Sequence, residues 1–249
     1  MRPILASWLL AMAFIGGIPS GGQSADLART TDSAPPEYGE LLAKYVTPRG
    51  VRYEAWHQNQ KDMTAIGKVT NFFARTLPPT DRNASLAWHL NAYNSWILNN
   101  ILKKYPTNGP LDGEILFFHG KRIVISGKKT SFDQLEQKEI RPVFKEPRVH
   151  FALNCASESC PPLMNRPFTA KALDADLDRL ARAFINDNPH GVVPQPDGKT
   201  LKLSKIFEWY EEDFGGKAKE IEFINKYRRS PVSGTIEFLE YSWKLNRAS

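Results

Sequence analysis

Cysteine is scarce in this chain, since Cys155 and Cys160 are the only two among 249 residues. Without a second paired cluster of cysteines, the sequence gives little support to a structural zinc site, which needs more ligands than two thiols supply. The two thiols lie close together, in a segment that also holds His150, an asparagine, two serines and two adjacent prolines. This crowding predicts that residues 148–163 form the functional site.

Long apolar segments are equally rare. After Arg2, residues 4–18 are uncharged and mostly apolar, and mostly small residues follow at positions 20–24, a pattern typical of a secretory signal peptide. We therefore predict a signal peptide over residues 1–24 and an exported protein, either periplasmic or secreted. The apolar stretch is shorter than the roughly 20 residues that cross a bilayer, and no later stretch is long enough. The sequence thus predicts no transmembrane segment.

Basic charge is spread thinly along the chain. Lysine and arginine number 33 against 27 aspartate and glutamate, and the basic residues occur singly or in scattered pairs. No basic stripe interleaved with aromatic residues is present, which argues against nucleic-acid binding. Weak attraction to an anionic envelope surface, or to another exported protein, remains open. The sequence indicates no cofactor, and the partner stays unknown.

The mature chain has a length that suits one domain. Residues 25–36 are polar and end in two prolines, so we predict a flexible lead-in there and a single domain over residues 37–249. The clearest helix has apolar side chains every three or four residues, at Leu86, Leu90, Tyr93, Ile97 and Ile101. Aromatic clusters are expected to belong to the core, around Trp56, Trp209 and Trp243.

Short β-rich segments interrupt the helical pattern. Residues 122–126, 149–153 and 201–203 predict strands, and residues 241–245 predict an additional edge strand. Residues 235–239 predict a helical stretch. The predicted fold class is therefore α+β, a helix-rich single domain with a small antiparallel sheet.

Three sequence motifs resemble a known family. They are Asn91–Asn94 (Asn-Ala-Tyr-Asn) in the clearest helix, Ser131–Glu136 (Ser-Phe-Asp-Gln-Leu-Glu) at a helix start, and His150–Pro162 (His-Phe-Ala-Leu-Asn-Cys-Ala-Ser-Glu-Ser-Cys-Pro-Pro). On these motifs the chain resembles, over about residues 37–246, the family catalogued as domain of unknown function 547. The last motif is the most specific of the three.

Two positions depart from the family pattern. The family usually has tryptophan where His89 stands and histidine where Gln137 stands. If that histidine is catalytic in the family, this member would be impaired. The family is itself uncharacterised, so the resemblance implies no particular activity.

A thiol nucleophile is the leading hypothesis for the site. A catalytic cysteine needs a base that keeps it as thiolate, and a further polar group that orients the base. We predict a hydrolase or acyl transferase in which Cys155 attacks a carbonyl, His150 is the base, and Asn91 or Glu136 orients it. A straight strand would separate Cys155 from His150 by roughly 16 Å, so their pairing requires a bend at residues 153–154.

Other polar groups are expected near Cys155. Asn94 shares a helix face with Asn91, three residues before it, and is placed to support the cysteine loop. Backbone N–H groups at residues 156–157 are candidates for binding an oxyanion. Without a bend in the chain, His89 or His119 would be the base instead of His150. The predicted binding residues are Asn94, Asn154, Ser157 and Cys160.

Two other interpretations remain open. In an exported protein a nearby cysteine pair is readily oxidised, and a Cys155–Cys160 disulfide would exclude nucleophilic catalysis while it stayed closed. The protein would then be a noncatalytic, envelope-associated binding module. Alternatively, His150 and the two thiols would bind zinc or copper with a further donor from elsewhere. We assign no metal ligands from the sequence.

Overall fold

The computed structural model describes residues 27–248. These residues form a helix-rich α+β fold with small sheets, which confirms the predicted fold class. The predicted signal peptide over residues 1–24 and the first residues of the lead-in lie outside the described residues. None of the described helices combines the length and the apolar character needed to cross a bilayer.

The first part of the described chain is helical around a central helix, α4. The aspartate before this helix caps it, since the Asp81 side chain accepts a hydrogen bond from the Ala84 N–H at 2.8 Å. Its buried Trp88 ring packs edge-on against Phe73, with 5.2 Å between ring centroids. The helix predicted from the apolar periodicity is confirmed as α4. The elements are α1 (Pro36–Tyr45), β1 (Val46–Thr47), β2 (Gly50–Val51), α2 (Tyr53–Gln58), α3 (Gln60–Arg75) and α4 (Arg82–Lys104).

The middle of the chain begins with a hairpin and continues as a broken helical run. Antiparallel pairing of β3 with β4 confirms the strand predicted at residues 122–126. Ser131 caps the run that follows, because its side chain accepts the Gln134 N–H at 3.0 Å. The elements are β3 (Ile123–Ile125), β4 (Lys128–Thr130), α5 (Phe132–Gln134), a π-helix (Leu135–Ile140), α6 (Arg141–Phe144) and a 3₁₀ helix (Pro147–Phe151).

The last part of the chain adds a three-stranded sheet and further helices. The central strand, β6, confirms the strand predicted at residues 201–203; it is antiparallel to β5 and parallel to β7. Phe207 and Phe214 pack against Phe151, which anchors the middle part to this one. The elements are α7 (Leu173–Asp187), β5 (Val192–Pro194), β6 (Thr200–Leu203), α8 (Lys205–Trp209), a second 3₁₀ helix (Glu211–Phe214), α9 (Lys217–Tyr227) and β7 (Thr235–Phe238).

The helical stretch predicted at residues 235–239 is wrong, because Thr235–Phe238 form strand β7. This strand holds two β-branched residues and a phenylalanine, which favour extended backbone, and it pairs with β6 along its whole length. The edge strand predicted at residues 241–245 is also not formed. That segment instead makes an isolated antiparallel bridge from Leu245 to Ser157.

The strand predicted at residues 149–153 is wrong as well, because the chain forms the 3₁₀ helix Pro147–Phe151 there. The proline at its start has a φ that suits the first turn. The Glu146 carboxylate accepts the Arg148 N–H at 3.1 Å and so supplies the cap. The helix coils the chain at His150, so no straight strand separates this residue from the cysteine loop.

Candidate functional site

A cleft of about 440 Å³ is lined by residues from α4, from the middle part and from the last part of the chain. It is lined by Cys155, His150 and Glu136, which are three of the four predicted catalytic residues, and by Cys160. Concave pockets with apolar walls and a few convergent polar groups are the usual form of ligand sites. The aromatic residues of its walls are Tyr93, Phe118, Trp209, Tyr210, Tyr241 and Trp243.

His150 is held by a carboxylate to which the sequence did not point. Its Nε2 lies 2.7 Å from Oδ2 of Asp213, in the second 3₁₀ helix, and its ring stacks on Tyr210 with 3.8 Å between centroids. Arg141 donates to the same Oδ2 at 2.6 Å. Burial favours the neutral acid, but hydrogen bonds from His150 and Arg141 hold the pKa of Asp213 below its usual range. In the neutral imidazole, Nε2 therefore carries the proton and Nδ1 is the basic nitrogen.

Glu136 lies in the π-helix, a rare element that is frequent at functional sites. The residue is only 7% exposed, and its Oε1 has no hydrogen-bond partner among the described residues. Burial raises the pKa of this carboxyl, and His150, Tyr210 and Arg141 oppose the shift. Glu136 lines the cleft, but the carboxylate hydrogen-bonded to His150 is that of Asp213.

Cys155 and Cys160 form a disulfide, with 6.1 Å between their Cα atoms, and the described chain has no free cysteine. The Cys155 N–H donates to Sγ of Cys160 at 2.8 Å. Sγ of Cys155 lies 3.1 Å from both the Ser157 Oγ and the Tyr241 hydroxyl. Burial raises the pKa of Tyr241 to about 12, so this hydroxyl keeps its proton at neutral pH.

Amide side chains fix the shape of the cysteine loop. Asn94 donates to the Ala152 carbonyl and accepts the Asn154 N–H, both at 2.9 Å. Asn154 in turn donates to the Pro161 carbonyl at 2.7 Å and accepts the Ala156 N–H at 2.9 Å. Because this N–H already has a partner, it is not free to bind the oxyanion as predicted. Ala156 also has a φ of 63°, a left-handed conformation that is unusual without glycine.

Replacing Asn94 with leucine is expected to lower the free energy of unfolding by about 2–4 kcal/mol, because two buried backbone groups would lose their partners. Chemical denaturation measures this change. Asn100→Ala is the matched control on the same helix, since its amide bonds only to the nearby Trp96 carbonyl, and its loss should stay below about 1 kcal/mol. Equal losses in the two variants would contradict the role given to Asn94.

Asn91 lies away from the cleft. Its Nδ2 donates to the carbonyls of Ser33 and Phe168 at 3.0 and 2.9 Å, and its Oδ1 accepts the Phe168 N–H at 2.9 Å. Its amide therefore ties two distant segments to α4. The geometry does not bring Asn91 to His150, so it gives no support to the predicted orienting role.

The other candidate bases and the metal interpretation also lack geometric support. His89 is buried, its Nδ1 lies 2.7 Å from the Ser85 carbonyl, and burial lowers its pKa. His119 lines the cleft but is exposed, with its Nδ1 3.9 Å from the Asp133 carboxylate. Among residues 27–248, no group of three or more His, Cys, Asp or Glu side chains is arranged to hold a metal ion.

Several residues of the site were missed by the sequence analysis. Asp213 ends a run of three acidic residues, and nothing in its spacing connects it with His150. Trp56 is fully buried as predicted, but Trp209 is 46% exposed and lines the cleft with Trp243. The one available signal was the density of aromatic residues near the end of the chain, since aromatic side chains are common in ligand pockets.

Comparison with known proteins identifies a family over part of the chain. Residues 78–185 match the family described as Protein of unknown function, DUF547, which confirms the resemblance over these residues. The match begins just before α4, ends within α7, and contains Glu136, His150 and both cysteines. No curated protein and no solved structure matches the chain. The family description specifies no activity, so the function is argued from the cleft.

Proposed function

We propose that the reduced protein is a thiol-dependent hydrolase or acyl transferase, with Cys155 as the nucleophile and His150 as the base. The observation that carries this proposal is that Cys155 lines the same cleft as His150, whose Nε2 is held by Asp213 at 2.7 Å. A thiol, an imidazole and a carboxylate that orients it are the groups that nucleophilic thiol catalysis uses. The enzyme form is the dithiol, because a disulfide sulfur is not a nucleophile.

In the proposed reaction, Nδ1 of His150 takes the Cys155 proton and the thiolate forms a C–S bond to the carbonyl carbon. Negative charge develops on the carbonyl oxygen, to which the protonated Tyr241 hydroxyl donates a hydrogen bond. Collapse of the intermediate breaks the bond to the leaving group, which takes the proton from His150. Water in a hydrolase, or an amine or alcohol in a transferase, then displaces the thiol from the thioester.

A noncatalytic binding module is the second candidate function, and the closed Cys155–Cys160 bridge favours it. In this alternative the protein is exported, in the periplasm or outside the cell, where disulfides persist. The bridge shapes the loop, and the aromatic cleft binds its partner without chemistry. An envelope surface or another exported protein is the proposed partner.

Thiol reactivity distinguishes the two functions. The full chain is reduced with an external dithiol, which supplies the two electrons and two protons that open one bridge, and is then freed of reductant and treated with iodoacetamide at pH 7. We expect Cys155 to be alkylated at least about tenfold faster than Cys160, because a base and an orienting carboxylate favour its thiolate. Peptide mass spectrometry measures both rates. Equal rates, or a faster Cys160, would contradict the catalytic proposal and favour the binding module.

A further inference from the structure

The cleft contains a carboxyl group that the proposed chemistry does not use. Glu136 lines the cleft, is only 7% exposed, and has one oxygen, Oε1, without a hydrogen-bond partner among the described residues. A buried carboxylate oxygen that lacks a donor carries a large desolvation cost. Such a group requires a specific explanation, and a ligand that donates hydrogen bonds is one.

The positive groups next to Glu136 are already engaged by a different carboxylate. Arg141 donates to Asp213 at 2.6 Å and also bonds to Gln137, while Nε2 of His150 contacts the same Asp213 oxygen. The ion pairs of the described chain include these contacts to Asp213 and none to Glu136. Glu136 therefore forms no ion pair of its own among the described residues, although His150 and Arg141 lie close enough to favour its charged form.

Aromatic rings form other walls of the same cleft. Trp209, Tyr241 and Trp243 pack against one another, with ring centroids 4.7 to 6.0 Å apart, and all three line the cleft. Tyr210, stacked on His150, lines it too. Ring faces attract cations electrostatically, and more strongly where water is displaced. An acidic group and aromatic faces in one cleft are the chemistry that recognises an ammonium ion.

We infer that Glu136 binds an ammonium group, so that the cleft takes a small amine whose apolar body lies against the aromatic wall. This inference extends the proposed function, since it makes the acyl substrate or the acyl acceptor an amine-bearing molecule. Binding of the amine itself needs no free thiol. A cleft of about 440 Å³ is within the size range of small-molecule sites. Because Glu136 would select ligands that carry an ammonium group, it acts as a specificity residue.

Three probes of equal ring size but different charge test this inference. Benzylammonium, benzyl alcohol and phenylacetate are titrated separately into the full chain with its disulfide closed, and calorimetry measures each affinity. We expect benzylammonium to bind at least about tenfold more tightly than benzyl alcohol, and phenylacetate to bind most weakly. Glu136→Gln should remove the preference for the cation. Asp133→Asn is the matched control, because this second cleft carboxylate is exposed and faces His119, and it should keep the preference.

The outcomes separate this inference from the proposed catalytic function. If benzylammonium binds no better than benzyl alcohol, or if Glu136→Gln leaves the preference unchanged, the inference is overturned whatever the thiol does. The Cys155→Ser variant could keep the preference for benzylammonium while, in the unaltered chain, Cys155 is alkylated no faster than Cys160. In that case amine recognition stands and the catalytic proposal is contradicted. The comparison of the three probes on the unaltered chain remains decisive even if Glu136→Gln does not fold.

Discussion

Replacing Cys160 with serine is expected to give a protein that hydrolyses an activated ester without any reductant. In the unaltered chain the Cys155–Cys160 bridge occupies the proposed nucleophile, so hydrolysis of p-nitrophenyl acetate should require prior reduction. The serine variant cannot form this bridge, so its Cys155 thiol has no disulfide partner within the chain. We expect its rate without reductant to equal or exceed that of the reduced parent, as measured by release of p-nitrophenolate.

Cys155→Ser is the matched control for this experiment, since it also removes the bridge but takes away the nucleophile. Its rate should be lower than that of the Cys160→Ser variant by about 10³-fold or more, with or without reductant. A Cys155→Ser variant that is as active as the Cys160→Ser variant would show that the hydrolysis does not depend on Cys155. A Cys160→Ser variant that is inactive although folded would contradict the dithiol form as the active one.

Replacing Asp213 with asparagine is expected to lower ester hydrolysis by the reduced protein by about 10²- to 10⁴-fold at pH 7. Asparagine keeps the size of the side chain but removes the charge that holds His150. An amide that donates to Nε2 would also leave the ring proton on Nδ1, which is the nitrogen that has to act as the base. The loss should appear in kcat more than in KM, because the Asp213 carboxylate positions the base and does not line the cleft.

A pH profile separates this positioning role from general damage to the fold. In Asp213→Asn the misplaced His150 no longer takes the proton of Cys155, so the thiol loses this proton to water instead. Alkylation of Cys155 should therefore recover as the pH rises above about 8.5, the usual pKa of a free thiol. A variant that has simply lost its structure would not recover in this selective way. Glu212→Gln, which changes the exposed carboxylate next to Asp213, should retain the rate and the profile of the parent. Loss of activity in this control would contradict a specific role for Asp213.

The sequence predicted those parts of the molecule that have a strong local signal. Helix α4 spans 23 residues, long enough for its apolar period to be unambiguous. The cysteine loop was located because its composition differs from that of its surroundings. Strand β7, by contrast, has only four residues, and a segment of that length has no period that distinguishes a strand from a helical turn.

The arrangement of the site depends on contacts between residues far apart in the chain. His150 meets Asp213 across 63 positions, and Cys155 meets the Tyr241 hydroxyl across 86. No linear spacing encodes such pairs, because tertiary packing of the two 3₁₀ helices brings the first pair together. The sequence predicted that the chain has to bend between His150 and Cys155, and the structure has no straight strand there. The coiling begins earlier than expected, at Pro147, where the cap from Glu146 starts a helix.

The boundaries of the family match cut through the cleft. The matched residues, 78–185, supply the proposed nucleophile and base, whereas Asp213 and Tyr241 come from later in the chain. The final residues also hold the cysteine loop directly, since the Asn246 N–H donates to the Ala156 carbonyl at 3.1 Å. A fragment expressed from the match alone would thus carry the motif without its orienting carboxylate or the far wall of its cleft. The recognisable segment therefore lacks part of the proposed site, and engineering or screening of this protein has to begin from the longer chain.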